Sequence, residues 1–249
     1  MKLKENERLD YVNDSLSLIQ DTEGLTFGTD ALLLAGYIGG GYKTGIELGG
    51  GTGIISMLLA TRGKVDKITC AEIQPEFAEL IGRNIEYNGL GERITAIAAD
   101  VRELCSPECE VVFTNPPYMK TSSGYSNRIN KKNIARHEVH GSITDFLLAA
   151  KRLLKFGGAF YAVYRPDRLA DIIAAMRECG IEPKRMTAVM ADTLSEPSMV
   201  LIEGKRGGKS GMRMTRPLIM YKDNEHREYG EDMEYIMEHG SFPDGFSVK

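Results

Sequence analysis

Residues 111–118 of this 249-residue chain read Val-Val-Phe-Thr-Asn-Pro-Pro-Tyr, and the last four have types and spacing suited to holding a planar amine. Neither Pro116 nor Pro117 has an N–H for a sheet ladder, and each pushes the residue before it away from helix. A buried apolar strand therefore has to stop at Asn115. The stiff turn beyond it sets an amide oxygen, a proline carbonyl and the Tyr118 ring close together. The Asn115 oxygen and the Pro116 carbonyl can accept the two N–H bonds of an exocyclic amine while Tyr118 stacks on its ring, as extruded bases are held. An amine conjugated with a ring is a poor nucleophile. Accepting both of its protons draws the lone pair out of conjugation, and the product cation is acidic enough to need no separate base. A rigid loop without a ligand is the plain alternative.

The elements that must position this turn follow an alternating β/α pattern. Residues 15–20 alternate polar and apolar like a half-buried strand. Thr29 or Asp30 can cap the apolar helix that follows, and glycines 39–41 stop it. Strands are expected at 44–48, 67–71, 94–98 and 111–114, with helices at 54–61 and from Pro75 to about Asn88. Residues 119–141 form a polar stretch without periodicity, and loops of that length are usually lids or binding loops. Ser142 caps a helix whose apolar residues recur at helical spacing, and Gly157-Gly158 is expected to end it before a strand at 159–164. A helix from Pro166, strands at 185–191 and 199–203, a short strand at 217–221 and a helix at 231–239 complete the chain. This order predicts an α/β fold with a doubly wound, mostly parallel sheet. Ligands in such sheets bind at the carboxyl ends of the strands. Glycines 49–53, Glu72, Asp100 and the Asn115 turn all fall there.

Composition narrows the class. The apolar fraction is 42%, the charged fraction 27% and the net charge -4, as in an ordinary globular protein rather than a basic nucleic-acid coat. The first residues have no apolar core behind their basic residues, and no apolar run approaches the ~18 residues that span a membrane. Cys105 and Cys109 lack C-x-x-C spacing, so free thiols and a cytoplasmic location are expected. His137 and His140 lack zinc-protease spacing, and no metal is expected.

Three strand ends carry candidate cofactor chemistry. The run Glu47-Leu-Gly-Gly-Gly-Thr-Gly53 lets backbone approach a ligand closely, and its helix offers N–H groups to a polar group. Gly51-x-Gly53-x-x-Ser56 loosely imitates a dinucleotide fingerprint, so a nicotinamide enzyme stays open on the glycines alone. Glu72 lies roughly 20 residues on, where a carboxylate can accept ribose hydroxyls. Asp100 can accept from an adenine amine, with the Val101 N–H beside it, or can cap a short turn. The Asn115 turn favours methyl transfer over hydride transfer.

ELGGGTG, Glu72, Asp100 and NPPY in this order resemble the class I S-adenosylmethionine-dependent methyltransferases that modify exocyclic amines. Arg8-Leu-Asp, Phe27-Gly-Thr-Asp-Ala-Leu-Leu-Leu-Ala35 and Ala135-Arg-His-Glu138 narrow the resemblance to the bacterial family of tRNA adenine-N6 methyltransferases acting beside a valine anticodon. The resemblance implies a Rossmann-like seven-stranded sheet over residues 43–206, an N-terminal strand and helix extension at 1–42, and a tail at 207–249. It implies S-adenosylmethionine held by Glu47, Gly49, Gly51, Glu72, Asp100 and Asn115, with Thr52, Gly53, Ile73 and Val101 alongside and with Thr29 and Asp30 near it. Base-holding falls to Asn115, Pro116, Pro117 and Tyr118. Lys120, Arg128, Lys131, Lys132 and Arg136 follow with no acid among residues 119–137, which suits phosphate contacts with tRNA. Residues 204–222 form a second basic stretch. A protein glutamine N5-methyltransferase, an rRNA guanine-N2 methyltransferase and a module binding S-adenosylmethionine or RNA without turnover are the alternatives.

Overall fold

The structure is a computed structural model and describes residues 3–22, 27–116 and 141–246. Its centre is a nine-stranded sheet of seven long strands and two short ones. The long strands are β3 (Tyr42–Leu48), β4 (Val65–Glu72), β5 (Ile94–Ala98), β6 (Cys109–Thr114), β7 (Leu154–Tyr164), β8 (Ile181–Met190) and β9 (Pro197–Arg206). Two-residue strands β10 (Arg213–Met214) and β11 (Leu218–Ile219) pair parallel to β8. The path runs β10-β8-β9-β7-β6-β3-β4-β5. Strands β3 to β7 are mutually parallel, and only β9 runs against its neighbours. The carboxyl ends of β3, β4, β5 and β6 therefore share one rim.

Helices cover both faces because alternate side chains of a strand point to opposite sides. Val111, Phe113, Tyr161, Val163 and Leu201 join one core cluster, which α1 (Thr29–Tyr37) and α2 (Ile54–Thr61) cover. Val112, Phe160, Ala162 and Ile202 join the other, under α4 (Ile143–Leu153) and α5 (Leu169–Glu178). Side chains from α3 (Pro75–Tyr87) enter the first cluster, as do Met233 and Ile236 of α6 (Glu231–His239) and Phe246.

Two local expectations need correction. Gly157-Gly158 does not separate α4 from β7. The helix ends at Leu153 and the strand begins at Leu154, and the glycines lie in an irregular stretch where the register moves from Cys109↔Leu154 to Val111↔Ala159. Glycine serves here as a bulge residue rather than a stop. The N-terminal segment is a hairpin, not one strand: β1 (Glu7–Asn13) pairs antiparallel with β2 (Leu16–Asp21).

This hairpin is tied to α3 by two side-chain amides. Asn84 accepts from the Ile19 N–H at 2.7 Å and donates to the Ile19 carbonyl at 3.1 Å. Asn88 repeats the pattern at Ser17, at 3.1 and 2.8 Å. Four residues of helix rise about 6 Å and two residues of strand about 6.6 Å, so Asn at i and i+4 meets alternate strand residues.

Candidate active site

The Asn115 turn leaves β6 at the rim, and three neighbours fix its position. Thr114 Oγ1 donates to the Leu48 carbonyl at 2.7 Å, which joins the end of β6 to the end of β3. Pro116 is buried. The Asn115 amide nitrogen donates to Asp30 Oδ2 at 2.8 Å, and Asp30 Oδ1 accepts from the Ala31 N–H at 2.9 Å. The remaining Asn115 atom, Oδ1, is buried and has no partner among the described residues. Buried acceptors are nearly always satisfied, so an orphan on a ligand rim marks the place of a donor from elsewhere. Pro117, Tyr118, Lys120, Arg128, Lys131, Lys132 and Arg136 lie outside the described residues.

The glycine loop reaches the same rim. Gly49 and Gly50 N–H groups donate to the Ala71 carbonyl at 2.9 and 3.0 Å, which folds the loop over the end of β4. A Cβ at Gly50 would stand 2.3 Å from Cys70 Sγ, so packing beneath the loop requires glycine there. Gly51 differs: its φ is +57°, and a Cβ would meet nothing within 4 Å. Its left-handed backbone faces open space, where a ligand can approach. Gly53 starts α2 with no side-chain cap of its own.

Glu72 lies at the end of β4, 5% exposed. One oxygen accepts from the Gly51 N–H at 2.9 Å and the other from the Gln74 N–H at 3.0 Å. A carboxylate offers about four lone-pair sites, so capacity for two hydroxyls remains. Ile73 follows half-buried. Open glycine backbone beside a fixed carboxylate is a donor set that fits the ribose and amino-acid portions of S-adenosylmethionine.

Glu47 is the last residue but one of β3. It is 1% exposed and points under the loop. One of its oxygens accepts from the Ser56 N–H at 3.1 Å, from the Ser56 hydroxyl and from the Cys70 thiol at 3.3 Å. It thus supplies the cap that Gly53 cannot. Burial pushes its carboxyl up to about 7, against the Ser56 and Cys70 hydrogen bonds that favour the anion. Between about 4.5 and 7 the folded chain binds a proton here that the unfolded chain has released, so stability falls as pH rises through this window. Glu47→Gln keeps an acceptor oxygen and removes the titration. Its unfolding free energy should gain on that of the native protein from pH 4.5 to 7 and keep the gain above pH 7, up to about 3 kcal/mol, read from melting curves. Parallel melting curves across this range would refute the assignment.

Asp100 caps a turn. Its Oδ1 accepts from the Arg102 N–H at 2.9 Å, its carbonyl accepts from Glu103 and Leu104, and the Arg102 guanidinium bonds both oxygens. Arg102 holds the carboxyl below its ordinary range. Val101 packs its side chain into the second core cluster, and its carbonyl accepts from Arg152 at 2.9 Å. Thr52 is buried, and its carbonyl accepts from Asn84 at 3.3 Å. Thr29 opens α1 half-buried. Of the second basic stretch, Arg206 pairs with Glu108, Arg216 with Asp232, and Lys222 with Glu228 and Glu234. These cations serve the protein's own surface.

Four contacts were not legible in the sequence: Asp30 to Asn115, Ser56 to Glu47, Cys70 to Glu47, and Asn84 to the loop. The contacts of Asp100 with Arg102, Glu72 with Gln74 and Asp30 with Ala31 are local, whereas these four join segments 9 to 85 residues apart.

The family model described as methyltransferase small domain matches residues 26–176. A Dyadobacter fermentans protein named tRNA1(Val) (adenine(37)-N6)-methyltransferase is 34% identical over 123 residues, 49% of this chain and 50% of that protein. The match thus spans about half of that relative. Proteins of the same name from Histophilus somni and Flavobacterium johnsoniae are 26% and 24% identical over 75% and 82% of this chain, and over 79% and 88% of their own lengths. Among solved structures, a predicted O-methyltransferase, Atu636 from Agrobacterium tumefaciens, has a TM-score of 0.70 at 22% identity, covering 86% of this chain and 98% of its own. TYW2 of M. jannaschii, solved with AdoMet, has a TM-score of 0.56 at 15% identity, covering 82% and 88%. These two likenesses speak to the fold.

Proposed function

This chain belongs to the methyltransferase small domain family, whose members use S-adenosylmethionine, and we propose that it methylates the exocyclic N6 amine of an adenine in tRNA beside the anticodon. The observation that carries this reading is the buried Asn115 Oδ1, without a partner among the described residues, on the rim that also holds the glycine loop. The adenine and the tRNA are supported by the names of the relatives that match three quarters or more of this chain.

Bound S-adenosylmethionine supplies an electrophilic methyl group. The chain's own work is to hold and orient. Gly51 and Glu72 would hold the cofactor. Asn115 Oδ1 would accept one N–H of the target amine and the Pro116 carbonyl the other, which localises the nitrogen lone pair. Tyr118 would stack on the base, and Lys120, Arg128, Lys131, Lys132 and Arg136 would contact phosphates. The rim excludes bulk water from Oδ1, and an acceptor in such a site acts more strongly than one in water.

Glu72→Ala should weaken S-adenosylmethionine binding by about 10- to 100-fold, because two backbone N–H groups and the ribose hydroxyls lose their acceptor together. Turnover at saturating cofactor should stay within several-fold of native. Isothermal titration calorimetry reads the first, and an unchanged Kd would remove Glu72 from the cofactor site.

The test of function is incubation with methyl-labelled S-adenosylmethionine and separated tRNA, rRNA and protein fractions, with nucleoside and amino-acid mass spectrometry. Label in tRNA as N6-methyladenosine is expected. Label in glutamine or in guanine N2 would overturn the reading, as would binding without turnover on every fraction.

A further inference from the structure

We propose that Asp30 is a positioning residue that decides which end of the Asn115 amide meets the target amine. This rests on the reading that Asn115 grips that amine. The two ends of an amide have nearly the same shape and opposite hydrogen-bonding character. Half a turn about the last side-chain bond would present an NH2 group to the substrate, which has N–H bonds of its own to place. The NPPY turn by itself does not choose between the two orientations. Asp30 does, because an ionised carboxylate only accepts, and it lies 2.8 Å from Asn115 Nδ2.

Asp30 is itself fixed. Its second oxygen accepts from the Ala31 N–H at 2.9 Å, in the first turn of α1, where a helix terminus favours negative charge. The carboxylate therefore cannot swing away to leave the amide free. With Nδ2 committed to Asp30, Oδ1 is left buried and without a partner among the described residues. The same contact strengthens that oxygen: a negative acceptor on the amide N–H pushes electron density towards the carbonyl, and hydrogen bonds in such a chain reinforce one another. In this role Asp30 acts on the reaction through Asn115.

Reciprocal substitution tests the proposal, with unfractionated tRNA, methyl-labelled S-adenosylmethionine and single-turnover rates. In Asp30→Asn, the Ala31 N–H keeps the oxygen of the new amide, so its NH2 faces Asn115 and the Asn115 amide turns over. Turnover should fall by about 10- to 100-fold, with cofactor Kd and KM for tRNA within about twofold of native. Asn115→Asp alone places two carboxylates against each other and should fall further. The double variant D30N/N115D restores a donor–acceptor pair with the direction reversed, and leaves a carboxylate oxygen aimed at the amine. It should exceed N115D by at least about tenfold. The rescue keeps the test open if D30N alone folds poorly, because a variant lacking only structure would not regain turnover through a change at position 115. Native turnover in D30N, or a double variant no better than N115D, overturns the role of Asp30. If Asn115→Ala keeps turnover, the amine grip itself fails. If Asn115→Ala is inactive while D30N is fully active, only the orienting role fails.

Discussion

Asn115→Ala is expected to lower methyl transfer by about 10²- to 10³-fold while leaving S-adenosylmethionine affinity within about twofold of native. The truncation removes the one described acceptor on the rim that is buried and unpaired. It leaves untouched the bond between Gly51 and Glu72, the residues proposed to hold the cofactor. The effect should fall on turnover rather than on KM, because the hydrogen bond to the amine strengthens as its lone pair leaves the ring and positive charge develops. The variant should fold: it removes a donor to Asp30, which lies half-buried and keeps its bond from the Ala31 N–H. Single-turnover rates with saturating tRNA and cofactor, set beside calorimetric cofactor binding, separate the two effects. A variant within tenfold of native turnover would sink the amine grip.

Arg185→Ala is expected to destabilise the fold by about 3–5 kcal/mol, the usual result of removing one partner from a buried, fully bonded charge. Arg185 lies on β8, 7% exposed. Its Nε donates to Glu203 at 2.7 Å, Nη1 to the Phe246 carbonyl at 2.7 Å and Nη2 to the Tyr37 carbonyl at 3.0 Å. The guanidinium also lies 3.9 Å from the Tyr37 ring centroid. One planar side chain therefore joins the sheet, the last turn of α1 and the C-terminal segment. Lysine cannot reproduce three fixed directions, so Arg185→Lys should recover only a minor part of the loss. The melting temperature of the alanine variant should drop by roughly 6–20 °C. A drop of under 2 °C would show that α1 and the tail are held without this residue.

Much of the fold was legible because local signals agreed. The helices at 54–61 and 231–239 and the strand at 94–98 have the limits their patterns suggest. Glycine before α2, Pro75 at the start of α3 and Ser142 with Asp145 before α4 are start signals that act within a few residues. Strand β1 was illegible for the opposite reason. Leu9 and Tyr11 are 42% and 70% exposed and no residue of β1 is buried, so it forms by main-chain pairing with β2 rather than by burying an apolar face. The tail was equally opaque: Met233, Ile236 and Phe246 enter the same core cluster as Leu33 and Leu34 of α1, through contacts about two hundred residues apart in the chain. No described helix is long and apolar enough to cross a membrane.

By itself the sequence determined where chemistry would gather. Prolines end a strand, glycines permit a left-handed turn and apolar periodicity sets the alternation of strand and helix; each acts within a few residues, and together they put four unusual strand ends on one rim. Only the tertiary structure decided what each polar group on that rim faces. Glu47 caps a helix, Asp100 holds Arg102, and Asp30 accepts from the Asn115 amide nitrogen, whose oxygen has no partner among the described residues. The direction of a hydrogen bond depends on a partner that folding brings from elsewhere, here across 85 residues between Asp30 and Asn115, and no pattern of nearby residues records it.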